Sequence, residues 1–160
     1  LAEIKGMPLE RAQQLNAQVT QMARDNGLKY NLEKAIVANS FRAHRFSHFA
    51  KNKGLQDAAE ESLFKAYFTD GKNTDDMETL VELAQEIGLN GDEVRKVLDG
   101  NDFSEAVRED IYEAQQLGVR GVPFFVFSRK YAISGAQESA TFLNALTTAY
   151  QESIQESSKA

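Results

Sequence analysis

The chain has no cysteine and only two prolines, Pro8 and Pro123, in 160 residues. By itself it can therefore form no disulfide, no thiolate nucleophile and no zinc–thiolate site. It has no apolar run near the ~20 residues that a membrane span needs, and no signal peptide is visible. Positive charge is not in excess: 18 Lys and Arg face 24 Asp and Glu, a net charge of −6. That balance argues against a general nucleic-acid or anionic-membrane binder, whose footprint is a basic surface. One stretch, "FRAHRFSHFAKNK" (41–53), is locally basic, and helical spacing lets its cations form one solvated face. The chain also lacks an initiator Met, so residues before Leu1 are expected.

What is present reads as ordinary globular protein. Hydrophobic residues make up 42% and charged residues 26%, in the range of folded domains rather than disordered tails. The length suits one domain with a sizeable core, or one domain carrying an inserted subdomain.

Pro8 fits a first helical turn, where a missing N–H costs nothing. Leu9, Ala12, Leu15, Val19 and Met22 follow at steps of three and four, which predicts an amphipathic helix that stops at Gly27. Asn31 is placed to cap a second helix carrying Leu32, Ile36, Phe46 and Phe49, ending before Gly54. A third helix is predicted over about 55–68, with Leu63, Phe64 and Tyr67. "TDGKNTDD" (69–76) is a polar loop in which Thr74 or Asp75 caps the next helix. That fourth helix holds Met77, Leu80, Val81, Ala84 and Ile87. Asn90 with Glu93 resembles a capping box before a short fifth helix. Phe103, Val107, Ile111, Ala114 and Leu117 make a sixth, closed by Gly118.

Then the period changes. "FFVF" (124–127) is a continuous apolar run, fit for a strand buried on both faces. "KYAIS" (130–134) alternates like a second strand. Ser128-Arg129 makes a tight reversal between them, without the Gly or Asn that two-residue hairpins prefer. A closing helix from about Gln137 carries Phe142, Leu143, Leu146 and Tyr150, and the tail "QESSKA" is expected to fray. A lone two-stranded hairpin is marginal in water. Four consecutive apolar residues therefore call for another strand beside them.

Few motifs carry chemistry. His44 and His48 are four apart on a predicted helix. The zinc-protease pattern needs Glu after the first His, however, and Arg45 stands there. With no third ligand in view they read as surface or packing histidines, and no metal site is expected. "DGKNTDDMETLV" (70–81) begins like a calcium loop but fails at Lys72, Asp75 and Val81. Neither a G-x-S-x-G nor a phosphate-binding loop is present. Ser40 and Ser47 lie near His44 without a nucleophile motif, and no specific acid/base pair of carboxylates stands out. That leaves Val122-Pro123. Pro123 either starts a strand, as prolines do, or forms a cis bond that turns the chain sharply before it. In the second case Val122 would offer its backbone N–H and C=O to an incoming peptide.

"QLGVRGVPFFVFSRKYAISGAQ" (116–137) resembles the C-terminal half of DsbA-like thioredoxin-fold proteins, and most closely the FrnE-like dithiol-disulfide oxidoreductases. "VANSFRAHRFSHFAKNKGLQDAAEESLFKAYFTDGKN" (37–73) is similar to the inserted helical domain of that subgroup. The resemblance implies an α/β, thioredoxin-like fold with an inserted all-helical domain. The first βαβ half is absent from this chain, which leaves mostly helix plus one β-hairpin. Residues 1–117 would be mainly the helical domain and connecting helices. Residues 118–152 would be the second half of the thioredoxin-like domain, and 153–160 a tail.

The implied function is thiol–disulfide oxidoreductase or disulfide isomerase, acting through an upstream Cys-x-x-Cys at a helix N-terminus. No catalytic residue of that kind lies in this chain, which alone would be inactive. Gly121, Val122 and Pro123 would form the cis-proline loop that binds substrate, and Phe41, His44 and Phe68 a cleft wall. The partner would be a thiol- or disulfide-containing protein or small molecule, with no cofactor. Neither nucleic acid nor membrane is an expected partner, a homodimer is conceivable, and the compartment expected from the subgroup is the cytoplasm. The glutathione-dependent kappa transferases and hydroxychromene-carboxylate isomerases share the inserted domain and the loop, and form the alternative, with glutathione as cofactor. A non-catalytic interaction module is the second alternative. The Ser-Arg turn, where relatives often have Asn or Gly, departs from the family pattern.

Overall fold

In the computed structural model, which describes residues 6–157, helix α1 (Leu9–Asp25) starts directly after Pro8. Its expected apolar face is not a core face among the described residues. Ala12 and Ala23 are buried, while Leu9, Val19 and Met22 are exposed. The second helix also differs from the reading above. It is α2 (Phe41–Asn52), and residues 31–40 are turn and loop. Leu32 and Ile36 extend the helical spacing by chance. The chain is held otherwise, because the Asn31 N–H donates to the Phe68 carbonyl at 2.6 Å and the Asn39 side chain accepts from the Phe41 N–H at 2.9 Å.

Helix α3 (Gln56–Phe64) runs into a π-helical turn, Lys65–Asp70. Gly71 ends this turn at φ +67°, a left-handed conformation that favours glycine. A Cβ there would also meet Cβ and the carbonyl oxygen of Lys34 at 2.7 Å. Helix α4 (Met77–Glu86) is capped by Asp76, not by Thr74 or Asp75. The Asp76 carboxylate accepts from the Thr79 N–H at 2.9 Å and the Thr79 hydroxyl at 3.0 Å. Asp75 is engaged by Arg42 instead, through its carbonyl and its carboxylate.

Helix α5 (Gly91–Asp99) starts at Asn90, whose side chain accepts from the Asp92 and Glu93 N–H groups. The Glu93 carboxylate pairs with Lys53 at 2.8 Å. Phe46, Leu80 and Val94 are the largest fully buried side chains, so the core lies among α2, α4 and α5. Arg45 belongs to this core as well. It is buried, against the expectation of a uniformly solvated basic face, and donates to the carbonyls of Val97, Leu98, Gly100 and Asp102. These carbonyls lie at and beyond the end of α5, where helices leave acceptors without internal partners.

The fold divides into two compact units that part between Arg108 and Glu109, within helix α6 (Ser104–Gln116). In the second unit β1 (Phe124–Phe127) pairs antiparallel with β2 (Tyr131–Ser134), with Phe124 opposite Ser134 and Phe127 opposite Tyr131. Ser128 and Arg129 turn the corner with φ of +50° and +56°, and the Lys130 N–H donates to the Phe127 carbonyl at 3.0 Å. Helix α7 (Ser139–Ser157) packs on the hairpin, with the Phe142 ring edge-on to Phe125 at 4.9 Å. The expectation that 124–127 is buried on both faces is not met among the described residues. The sheet has two strands, and Phe125 and Val126 keep more than a third of their surface exposed. Nor is Gln155 the start of a frayed end, since α7 continues to Ser157 with Glu156 paired to Lys130 at 2.6 Å. Residues 158–160 of the expected tail lie outside the described residues.

The described residues are therefore mostly helical, with one two-stranded antiparallel sheet among them. No described helix is long and apolar enough to cross a membrane.

Candidate functional site

The hairpin ladder continues one step past its last strand pair. The Gly135 N–H donates to the Pro123 carbonyl at 2.8 Å. Beyond that bond pairing stops. Val122 is next along the chain and is 90% exposed. Among the described residues no hydrogen bond engages its N–H or C=O. Gly121 before it is exposed too, and a Cβ there would meet nothing within 4 Å. The Val122–Pro123 peptide bond is cis. Gly121, Val122 and Pro123 form an open bend at the mouth of the hairpin, with an exposed main-chain segment just before β1.

At the opposite end of the sheet the hairpin is tied to α7. The Tyr131 hydroxyl donates to the Glu152 carboxylate at 2.5 Å, and Lys130 reaches both Glu152 and Glu156. The Tyr131 hydrogen bond, with help from Lys130, holds the Glu152 carboxyl below its usual range. The same bond raises the phenol above its usual range. A lowered carboxyl contributes stability above its ordinary pKa and loses it as pH falls through the lowered value. A raised phenol contributes below its ordinary pKa and loses it as pH rises through the raised value. The clasp is therefore intact at neutral pH and weakens toward both extremes. Tyr131→Phe is expected to lower the melting temperature at neutral pH. Its deficit should shrink as the pH falls through the lowered Glu152 pKa, where the carboxylate that accepts the Tyr131 bond is lost. Parallel thermal melts across that range measure it.

The residues expected to wall a cleft do not all share one place. His44 and Phe68 line a single cavity in the first unit. Phe41 does not; its ring lies 5.8 Å from the Arg108 guanidinium carbon. Phe68 stacks on Tyr30 at 4.7 Å and meets Tyr67 edge-on at 4.9 Å. The cavity also takes Ser47 and Glu60, whose partnership spans two helices and has no sequence spacing to betray it. His48 does not share the cavity with His44; it stacks on Phe103. Among the described residues no three of His, Cys, Asp or Glu gather as a metal site.

Residues 2–147 match the DSBA-like thioredoxin domain. The chain belongs to that family. A solved structure described as a probable DsbA oxidoreductase from Streptomyces coelicolor superposes with a TM-score of 0.87 at 39% identity, over 95% of this chain and 66% of that one. The uncharacterized protein YwbO of Bacillus subtilis (strain 168) is 27% identical over 101 residues, which is 62% of this chain and 50% of that protein. The DSBA-like chain thus spans about half the length of this curated relative. Its fold is the DsbA-like thioredoxin fold, in the mostly helical form that carries one antiparallel hairpin.

Proposed function

We propose that this DSBA-like chain is the substrate-pairing part of a thiol–disulfide oxidoreductase, and that Val122 forms backbone hydrogen bonds to an extended substrate segment. The carrying observation is the end of the ladder at the Pro123–Gly135 bond, with the exposed Val122 main chain beyond it. An edge with an unused N–H and C=O accepts an added strand without rearrangement. The side chain gives no cradle, so recognition is by backbone and tolerates varied substrate sequence. Pro123 shapes the bend and Gly121 leaves room in front of it.

The chain holds no sulfur nucleophile. In this reading the reacting dithiol comes from sequence outside these 160 residues. One thiolate of that dithiol attacks a substrate disulfide sulfur. The substrate S–S bond breaks, a mixed disulfide forms and a substrate thiolate leaves. The second thiolate then attacks the mixed disulfide, so the dithiol ends oxidised and the substrate reduced by two electrons. The reverse sequence oxidises a substrate dithiol. Val122 holds the segment while sulfur is exchanged.

The test uses the full-length protein and two variants. Val122→Pro deletes the N–H donor; Val122→Ala trims only an exposed side chain. A net backbone hydrogen bond contributes about 0.5–1.5 kcal/mol, so Val122→Pro is expected to lower kcat/KM for a disulfide-bearing peptide by roughly two- to tenfold. Turnover of a small disulfide with no peptide backbone should be unchanged, and Val122→Ala should match the unaltered protein on both. Equal losses on both substrates, or no loss on the peptide, overturn the proposal. So does a full-length protein without a cysteine pair.

A further inference from the structure

The cavity in the first unit is built from residues 37–74 alone and owes nothing to thiol chemistry. It encloses about 490 Å³, inside the ~300–1,000 Å³ range of small-molecule sites. Leu63, Phe64, Tyr67 and Phe68 supply an apolar and largely aromatic wall. The last two stand on the π-helical turn, a feature that recurs at functional sites because the extra residue redirects side chains. One polar station interrupts this wall. The buried Ser47 hydroxyl donates to the Glu60 carboxylate at 2.9 Å and accepts from the Gln56 amide at 3.2 Å. That chain of bonds fixes the Glu60 carboxylate at the cavity. Ser47 uses one of its roughly four lone-pair sites, and a carboxylate can only accept.

We propose that this cavity binds a small aromatic amine, its rings against Tyr67 and Phe68 and its N–H donating to Glu60. The aromatic wall selects planar apolar bodies, and the fixed carboxylate selects a donor. The same carboxylate rejects anions, since a second negative charge at an apolar wall would lie uncompensated. His44 and the Tyr67 phenol are the other titratable groups among the residues that line the cavity.

The probe is N-phenyl-1-naphthylamine, an uncharged fluorescent diarylamine with a single N–H donor, titrated into the full-length protein. One saturable site is expected. Ser40→Trp fills the cavity mouth from an exposed position whose side chain makes no cap bond, and should weaken binding by about tenfold or more. Glu60→Gln keeps the size and an acceptor for Ser47 but removes the charge. It should weaken binding about fivefold. On the unaltered chain, amide shifts should fall within residues 37–74, which keeps the test decisive if a variant fails to fold. Shifts confined to the exposed apolar faces of α1 or α7, unsaturable binding, or affinity indifferent to both substitutions would overturn the site. Affinity indifferent to Glu60→Gln alone overturns the amine–carboxylate contact. None of these outcomes depends on peptide pairing at Val122.

Discussion

Phe46→Ala is expected to destabilise the helical unit by about 3–5 kcal/mol. Phe46 is the largest of the fully buried side chains, at 0% exposure, and sits in the cluster that α2 shares with α4 and α5. Truncation removes the transfer free energy of a benzyl group and leaves a cavity that helices on several sides cannot close. A domain's whole stability is about 5–15 kcal/mol, so much of the margin would be lost. Chemical denaturation followed by circular dichroism measures it. A loss below ~1 kcal/mol would show that the packing around Phe46 is not what holds the unit together.

Arg45→Met is expected to cost a comparable amount, about 3 kcal/mol, for a different reason. The guanidinium joins α2 to the end of α5 by donating to four carbonyls, among them Val97 at 2.5 Å and Gly100 at 2.8 Å. Burial is the main cause that lowers its pKa, and the neighbouring Arg42 adds to it. Even so, the guanidinium stays charged and its donors are matched by acceptors that α5 itself cannot satisfy. Methionine keeps the apolar stem and deletes all the donors, so several carbonyls must find water or go unpaired. Arg45→Lys should recover only part of the loss, because a point ammonium cannot span the fork. Hydrogen exchange should rise first at the C-terminal end of α5 and residues 100–102. Equal stability of Arg45→Met and the unaltered chain would refute this role.

Arg45 also shows where sequence reading stops. Periodicity places it on α2 with Arg42 and Lys51, and nothing local separates a buried cation from a solvated one. The acceptors lie more than fifty residues away. The fourth and fifth helices were legible because Leu80, Val81 and Ala84, then Val94 and Leu98, keep the period and are buried together. The start of α2 was not, since Leu32 and Ile36 continue the spacing while Asn31 and Asn39 hold the chain out of helix. The family and the hairpin were legible because the apolar run 124–127 and the alternating 130–134 change the period after the helices, and the stretch 116–137 carries the resemblance. The cavity at Glu60 was not, because a Ser–Glu bond between two helices and a π-helical turn leave no period to read.

The most direct test of the account is hydrogen exchange at the Val122 amide. The full-length protein, labelled with ¹⁵N-valine, would be compared with and without a disulfide-bearing extended peptide. The account predicts that the Val122 amide, exposed and unpaired beyond the Pro123–Gly135 bond, becomes protected on binding and shifts more than any other valine. An unprotected Val122, with the response at Val37 beside the cavity instead, would contradict it.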